Sequence, residues 1–205
     1  MCGIVGYIGD REAADFLMDG LAKLEYRGYD SAGIAVYNDG AIVVRKKAGR
    51  LVNLAEEVKA HPVVGTLGIG HTRWATHGGP SDVNAHPHTD EKGNFAIVHN
   101  GIIENYMELK EELLKKGYHF KSETDTEVVA HLCADMYDGD FTSTVRKVLA
   151  RLRGSYSLVF MCKFEPDKII CSKKDNPLIV GLGQGENYIA SDIPAILSYT
   201  RKTYI

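Results

Sequence analysis

The second residue of the chain combines two groups that could carry out nucleophilic catalysis. If Met1 is removed, Cys2 carries both a thiol and a free α-amine. Such a thiol has a pKa of ~8.5 and an α-amine a pKa of ~8, so the amine can take the thiol proton and later pass it to a leaving amine. Gly3 leaves room for a substrate, and Ile4 and Val5 begin an apolar strand that could anchor this end. The pattern indicates an N-terminal thiol nucleophile; the alternative is a cysteine with no role.

A polar stretch at residues 71–78 has the groups needed to bind a small carboxylate. Arg73 can grip a carboxylate through two parallel hydrogen bonds. Trp74 could cover a small ligand, and Thr76 and His77 could add hydrogen bonds. The alternative is a surface pair in which the arginine stacks on the tryptophan.

Asn100 and Gly101 place two neutral hydrogen-bond donors side by side. The side-chain amide of Asn100 and the backbone N–H of Gly101 could stabilise the oxyanion that forms when a nucleophile attacks a carbonyl. The alternative is a turn that ends the preceding strand, because Asn-Gly turns are common.

Asp125 lies in an acidic and hydroxyl-rich stretch at residues 122–127. Thr124 and Glu127 have the Thr-x-x-Glu spacing of a helix capping box. Asp125 then falls in the first helical turn, where the helix dipole stabilises a carboxylate. It could also bind a substrate ammonium, although helix capping is the more general interpretation.

Several histidines crowd the middle of the chain and raise the question of a metal site. Their spacing matches neither a helical nor a knuckle zinc site. We therefore expect solvated or hydrogen-bonding histidines, with no metal and no cofactor. These residues are His71, His77, His86, His88 and His99.

Together, these groups suit a free amino acid with a distal amide. A thiolate attacks the amide carbonyl, the Asn-Gly pair holds the oxyanion, Arg73 holds the α-carboxylate and Asp125 holds the α-ammonium. Glutamine and asparagine both satisfy this description.

Composition excludes several other classes of protein. The chain has 205 residues, 44% hydrophobic and 25% charged, with a formal net charge of -3, so no basic surface indicates nucleic-acid binding. No apolar run is long enough to span a bilayer, and no secretory signal is evident, which predicts a cytoplasmic protein. Cys133, Cys162 and Cys171 lack Cys-x-x-Cys spacing and are expected to be small buried hydrophobes.

Hydrophobic periodicity predicts strands near both ends of the chain and most helices in the middle. This distribution favours an α+β fold of packed antiparallel sheets covered by helices. The segment 72–92 is predicted to be a functional loop or lid. Helices are predicted at 11–24, 51–60, 104–116, 124–136 and 141–152, and strands at 3–8, 31–37, 41–47, 66–71, 95–99, 155–161, 168–171, 178–180 and 187–190.

Five motifs, in order along the chain, resemble one family, the N-terminal glutaminase domains of glucosamine-6-phosphate synthases. The resemblance extends almost to the end of the chain, through Ile-Ala-Ser-Asp at 189–192. The motifs are MCGIVG at 1–6, EYRGYDSAG at 25–33, HTRWATHG at 71–78, HNGIIEN at 99–105 and SETDTE at 122–127.

The resemblance implies a class II glutamine amidotransferase with the N-terminal-nucleophile hydrolase fold, a four-layer αββα sandwich. Residues 1–205 would form the glutaminase domain, without the sugar isomerase domains of the full-length enzyme. That enzyme would release ammonia from L-glutamine and use it to convert fructose-6-phosphate to glucosamine-6-phosphate, a hexosamine precursor of UDP-GlcNAc. The resemblance also implies a homo-oligomer when full length.

The resemblance further implies a role for each site residue. Cys2 would be the nucleophile, with its α-amine as the base, and Arg27 would organise its surroundings. The oxyanion would lie at Asn100 and Gly101. Substrate contacts would come from Arg73, Thr76 and His77 to the α-carboxylate, from Asp125 to the α-ammonium, and from Trp74 on a mobile closing loop.

Two alternatives remain open. One is the glutaminase domain of another class II amidotransferase, which feeds a phosphoribosyl or aspartyl acceptor. The other is a non-catalytic module that binds glutamine in the same pocket. An intact N-terminal thiol argues against a binding module, because binding alone does not require one.

Overall fold

The computed structural model describes residues 2–205, and within this range the chain forms five α-helices and eleven β-strands. The helices are α1 (Ala13–Leu24), α2 (Leu51–Ala60), α3 (Tyr106–Lys115), α4 (Glu127–Met136) and α5 (Phe141–Arg151). The strands are β1 (Gly3–Ile8), β2 (Ser31–Asn38), β3 (Ala41–Ala48), β4 (Leu67–Arg73), β5 (His88–Thr89), β6 (Phe95–Ile103), β7 (Gly154–Cys162), β8 (Ile170–Lys174), β9 (Ile179–Leu182), β10 (Asn187–Ala190) and β11 (Thr203–Tyr204). Two 3₁₀ turns, Glu25–Arg27 and Ile193–Ala195, complete the regular structure described.

The strands form two antiparallel sheets. Over the described residues, the first sheet has seven strands in the order β11-β9-β10-β1-β4-β2-β3, and the second has four in the order β5-β6-β7-β8. Each pairing between these strands is antiparallel. The sheets therefore match the predicted antiparallel architecture.

Three apolar clusters show how the layers stack. One joins α1 and α2 to the first sheet, and a second joins α3, α4 and α5 to the second sheet. The third lies between the two sheets and includes Ile4, Ile69, Val98 and Val159. Because each sheet has apolar side chains on both faces, each can be covered by helices on one side and by the other sheet on the other side. The result is a four-layer αββα sandwich.

Local sequence accounts for much of this architecture. In α1, Phe16, Leu17, Leu21 and Leu24 fall on one helical face and all are buried. The β2–β3 hairpin turns at Asp39-Gly40, where φ is 45° and 84°, values that the Asp-Gly turn readily supplies. Both elements match the predictions.

Strand β6 differs from its prediction because it continues through Asn100 and Gly101 to Ile103. Gly101 has φ of 107° and pairs with Tyr156 of β7. A Cβ at this position would lie 2.1 Å from the carbonyl oxygen of Ser155, so only glycine fits. The expected strand-ending turn is wrong because the neighbouring strand keeps the ladder in register past the glycine.

The predicted capping box does not form. Helix α4 begins at Glu127, so Thr124 and Asp125 precede it. The Glu127 carboxylate accepts hydrogen bonds from the backbone N–H groups of Lys121 and Ser122, at 2.9 and 2.7 Å. The hydroxyl of Thr124 instead lies 3.1 Å from Nε2 of His88. Asp125 is therefore free of a capping role.

The remaining differences between the predicted and the observed structure are small. The two-residue strands β5 and β11 were not predicted, and β5 lies inside the segment expected to be a loop. The space at Gly3 faces Thr72 and Leu24, whose atoms would lie 2.6 and 2.8 Å from an added Cβ, so this glycine serves packing rather than substrate access.

None of the helices described at residues 2–205 combines the length and apolar character that a bilayer span requires.

Candidate active site

One cavity of about 280 Å³ opens beside the start of β1, the end of β4 and residues 100–102 of β6. This volume is close to the lower limit of about 300 Å³ for ordinary ligand pockets, which suits a small molecule. Its lining includes every residue to which the sequence assigned a site role. These residues are Cys2, Arg27, Arg73, Trp74, Thr76, His77, Asn100, Gly101 and Asp125.

The thiol of Cys2 lies against the backbone of Trp74. Sγ is 3.4 Å from the carbonyl oxygen of Trp74, to which it donates, and 3.2 Å from the Trp74 nitrogen, from which it accepts. Burial raises the pKa of the thiol, and the hydrogen bond from Trp74 opposes that rise only in part. The thiol therefore stays protonated near neutral pH, and its attack on a carbonyl requires a base.

The carbonyl oxygen of Cys2 is held from two sides. It accepts hydrogen bonds from Nε of Arg27 at 3.0 Å and from Nδ2 of Asn100 at 3.1 Å. Arg27 also forms an ion pair with Asp192 at 2.9 Å, and the Tyr26 hydroxyl donates to the same carboxylate at 2.6 Å. These contacts hold Cys2 and the start of β1 at the cavity.

Arg73 lies at the end of β4 and is buried, with 3% of its surface exposed. Its guanidinium donates to three backbone carbonyls of the following loop, those of His77, Gly78 and Gly79, at 2.5, 2.8 and 3.3 Å. A guanidinium has five N–H donors, so this contact leaves donors for a ligand. Arg73 both lines the cavity and holds the loop at 77–79 beside it.

The loop that follows β4 is also anchored near its start, at Ala75. The backbone N–H of Ala75 donates to the carboxylate of Asp30. Gly28 permits close contact here, since an added Cβ would lie 2.7 Å from the carbonyl oxygen of Arg73. The ring of His77 packs edge-on against Tyr106 at 5.2 Å, which connects the loop to the start of α3. Trp74 remains 49% exposed at the cavity mouth.

Asp125 presents a buried carboxylate to the cavity and is 4% exposed. One oxygen accepts from the backbone N–H of Ile103 at 2.8 Å, and the other lies 3.9 Å from Nδ1 of His99. Burial lowers the pKa of His99, so this imidazole is neutral near pH 7 and does not cancel the carboxylate charge. A carboxylate in this position favours a cationic group in the cavity.

Four residues that support the site were not singled out from the sequence. Asp30 and Asp192 fall in recognised motifs, yet their contacts with Ala75 and Arg27 join segments far apart in the sequence and leave no local pattern. Tyr106 is distant from His77 in sequence. His71 was grouped with a possible metal cluster; instead, its Nε2 lies 2.9 Å from the His99 carbonyl oxygen and 3.0 Å from Oδ1 of Asn100.

Comparisons with known proteins agree with this geometry. Residues 71–198 match the family model described as a glutamine amidotransferase domain. The chain is 60% identical, over 204 residues, to the glutamine–fructose-6-phosphate aminotransferase [isomerizing] of Caldanaerobacter subterraneus subsp. tengcongensis; the match covers 100% of this chain and 34% of the relative. The enzyme of the same name from Clostridium tetani is 58% identical, with the same coverage.

Among solved structures, the chain is similar to the glutamine phosphoribosylpyrophosphate amidotransferase of B. subtilis. The TM-score is 0.82 at 29% identity, and the match covers 95% of this chain and 43% of that one. This likeness confirms the predicted N-terminal-nucleophile amidotransferase fold. The chain spans about a third of the length of the curated relatives it matches. With its two-sheet sandwich, its cavity at Cys2 and its match over most of the sequence, the chain belongs to the glutamine amidotransferase domain family.

Proposed function

We propose that this site hydrolyses the side-chain amide of L-glutamine to glutamate and ammonia through a thioester on Cys2. The observation that carries the proposal is the single cavity in which a thiol, an amide donor, a guanidinium and a carboxylate meet. Each of these groups complements a different part of one amino acid: the γ-amide carbonyl, its oxyanion, the α-carboxylate and the α-ammonium.

The chemistry requires a base for the Cys2 thiol. Removal of Met1, a residue outside the described range, would free the α-amine of Cys2. The amine takes the thiol proton, sulfur attacks the γ-carbonyl carbon, and Asn100 and Gly101 donate to the oxyanion. Collapse breaks the carbon–nitrogen bond, and the amine returns the proton so that ammonia leaves. Water then attacks the thioester, which yields glutamate and restores the thiol.

The α-carboxylate and the α-ammonium of the substrate are each recognised by a protein group of opposite charge. Arg73, with Thr76 and His77 from the adjoining loop, contacts the α-carboxylate, and Asp125 contacts the α-ammonium. Trp74 covers the bound amino acid. Arg27 holds the Cys2 carbonyl and so supports the position of the nucleophile.

The fate of the ammonia is inferred from the relatives. Relatives that are 58–60% identical are named for fructose-6-phosphate, whereas the phosphoribosylpyrophosphate enzyme is 29% identical. We infer that the full-length protein carries C-terminal sugar isomerase domains, assembles as a homo-oligomer and makes glucosamine-6-phosphate in the cytoplasm.

A direct assay tests the hydrolysis. Chain with Met1 removed is incubated with L-glutamine, and glutamate and ammonia are measured together. We expect equal amounts of both products, and no activity above background from Cys2→Ala. Glutamine binding to Cys2→Ala, measured by calorimetry, shows whether that variant keeps its pocket. Binding without hydrolysis by the unsubstituted chain would identify a binding module and contradict the proposal.

Asp125→Asn is expected to raise KM for glutamine about 10- to 100-fold, because a charge-assisted hydrogen bond to the ammonium is lost. The asparagine oxygen can still accept from Ile103, so kcat should change little. Glutaramate, which is glutamine without the α-amino group, provides the discriminating substrate: both proteins should handle it alike. Glu108→Gln, on the surface of α3, serves as the matched control. A larger loss on glutaramate than on glutamine would oppose the assignment of Asp125.

A further inference from the structure

His71 occupies a fully buried position in β4, directly behind the proposed oxyanion donor. Its Nε2 lies 2.9 Å from the backbone carbonyl oxygen of His99 and 3.0 Å from the side-chain oxygen of Asn100. A backbone carbonyl can only accept, so Nε2 must carry the proton. Burial lowers the pKa of His71 to about 3, which keeps the ring neutral near pH 7. Nδ1 is buried, has no hydrogen-bond partner among residues 2–205 and is therefore the unprotonated nitrogen.

This tautomer fixes the orientation of the Asn100 amide. The atom that faces Nε2–H must accept, so it is the amide oxygen. The amide NH2 then points the other way, where Nδ2 donates to the Cys2 carbonyl oxygen at 3.1 Å. A flipped amide would place two donors together at His71 and two acceptors together at Cys2. Both ends of the contact thus select the orientation in which the NH2 group lies on the cavity side.

The His71 ring is held in turn by its neighbours. It stacks on the ring of His86, with centroids 4.1 Å apart and planes at 17°. The backbone carbonyl of His86 packs against Gly33 of β2, where a Cβ would lie 2.1 Å from the oxygen. Nζ of Lys46 donates to the carbonyls of Ala85 and Pro87, on either side of His86, at 2.8 and 3.4 Å. The sheet therefore fastens the segment that carries His86 and fixes the plane of the His71 ring.

We propose that His71 is a positioning residue, which directs the Asn100 NH2 group toward the substrate oxyanion. The role rests on the proposed glutaminase function. His71 lies behind Asn100 and acts only through it. His71 and the His86 ring that stacks on it are thereby assigned to the orientation of a neutral donor.

Two substitutions separate the hydrogen bond from the packing. His71→Leu removes the N–H donor and keeps an apolar side chain, whereas His71→Gln supplies an amide N–H in place of Nε2–H. We expect His71→Leu to lower kcat for glutamine about 10- to 100-fold with little change in KM, the range seen when a hydrogen-bond partner that orients a metal-ligating side chain is removed. His71→Gln should recover most of the loss. His131→Leu, another buried histidine that lies outside the cavity, should leave kcat unchanged in the folded protein.

A double-substitution cycle tests whether His71 acts through Asn100. In an Asn100→Ala background, His71→Leu should have no further effect on kcat, because the amide that it orients is gone. Alkylation of Cys2 by iodoacetamide, followed by peptide mapping, provides a second control. This displacement forms no oxyanion, so its rate should be the same with and without His71→Leu.

Nitrogen NMR of the histidine rings gives a readout that does not depend on activity. We expect His71 to show a protonated Nε2 and an unprotonated Nδ1 from pH 5 to pH 8. If that tautomer is seen but the unsubstituted chain hydrolyses no glutamine, the proposed function fails and the orientation of Asn100 stands. The opposite tautomer, equal kcat values for His71→Leu and the unsubstituted chain, or the same loss in the Asn100→Ala background would each overturn the positioning role.

Discussion

A chain that keeps Met1 is expected to hydrolyse glutamine about 10²- to 10⁴-fold more slowly than the same chain that begins at Cys2, the range typical of a lost general base. Burial raises the pKa of the thiol, so attack needs a base. Among the described residues, the hydrogen-bond partners of Sγ are both backbone groups of Trp74, which cannot remove its proton. The α-amine can do so, whereas the amide nitrogen that replaces it in unprocessed chain is not basic.

Aminopeptidase treatment of one preparation supplies both forms for this comparison. The N-terminus of each sample is verified by intact mass before kcat is measured. The processed form should also gain activity as pH rises through the α-amine pKa of ~8, because only the deprotonated amine is a base. Activity is then lost as pH falls below that value. Equal rates for the two forms would show that the base is a different group.

Asn100→Ala is expected to lower kcat about 10²- to 10³-fold, the usual effect of removing one oxyanion donor. KM should change little, since the donor acts on charge that develops during the reaction. The substitution also removes a hydrogen bond to the Cys2 carbonyl, so the unfolding midpoint must be measured beside the kinetics.

Asn105→Ala is the matched control for that experiment. Asn105 lies just after β6, and its side chain contacts the backbone of Arg151 and Arg153 outside the cavity. We expect it to lose stability while kcat stays within about twofold, the scale of a surface effect on a folded protein. An Asn100→Ala variant that keeps full kcat would remove this residue from the oxyanion site.

The parts of the fold that were predictable have local causes. Helix α1 follows from the spacing of its apolar residues, and the β2–β3 hairpin follows from Asp39-Gly40. The continuation of β6 through Gly101 was not predictable, because it depends on pairing with β7, which lies far along the chain. The capping box failed for a similar reason: the Thr124 hydroxyl contacts His88 and Glu127 binds the preceding backbone. Nonlocal partners replaced the local ones that the spacing suggested.

The site likewise has parts that could be predicted from the sequence and parts that depend on nonlocal contacts. Residue types and motif order were sufficient to nominate the groups that now line one cavity. The supporting contacts of Asp30, Asp192 and His71 were hidden, since each joins segments that only the folded sheets bring together. The tautomer of His71, for example, follows from a backbone carbonyl whose direction no sequence pattern encodes.

The most direct test of the Cys2 mechanism is a search for its acyl-enzyme. Chain with Met1 removed is mixed with L-glutamine, quenched with acid within the first turnover and analysed by peptide mass mapping. We predict an adduct with the mass of glutamine less ammonia, confined to the peptide that contains Cys2 and removable by hydroxylamine as γ-glutamyl hydroxamate. Single-turnover formation of glutamate with neither this adduct nor the hydroxamate would contradict a thioester at Cys2.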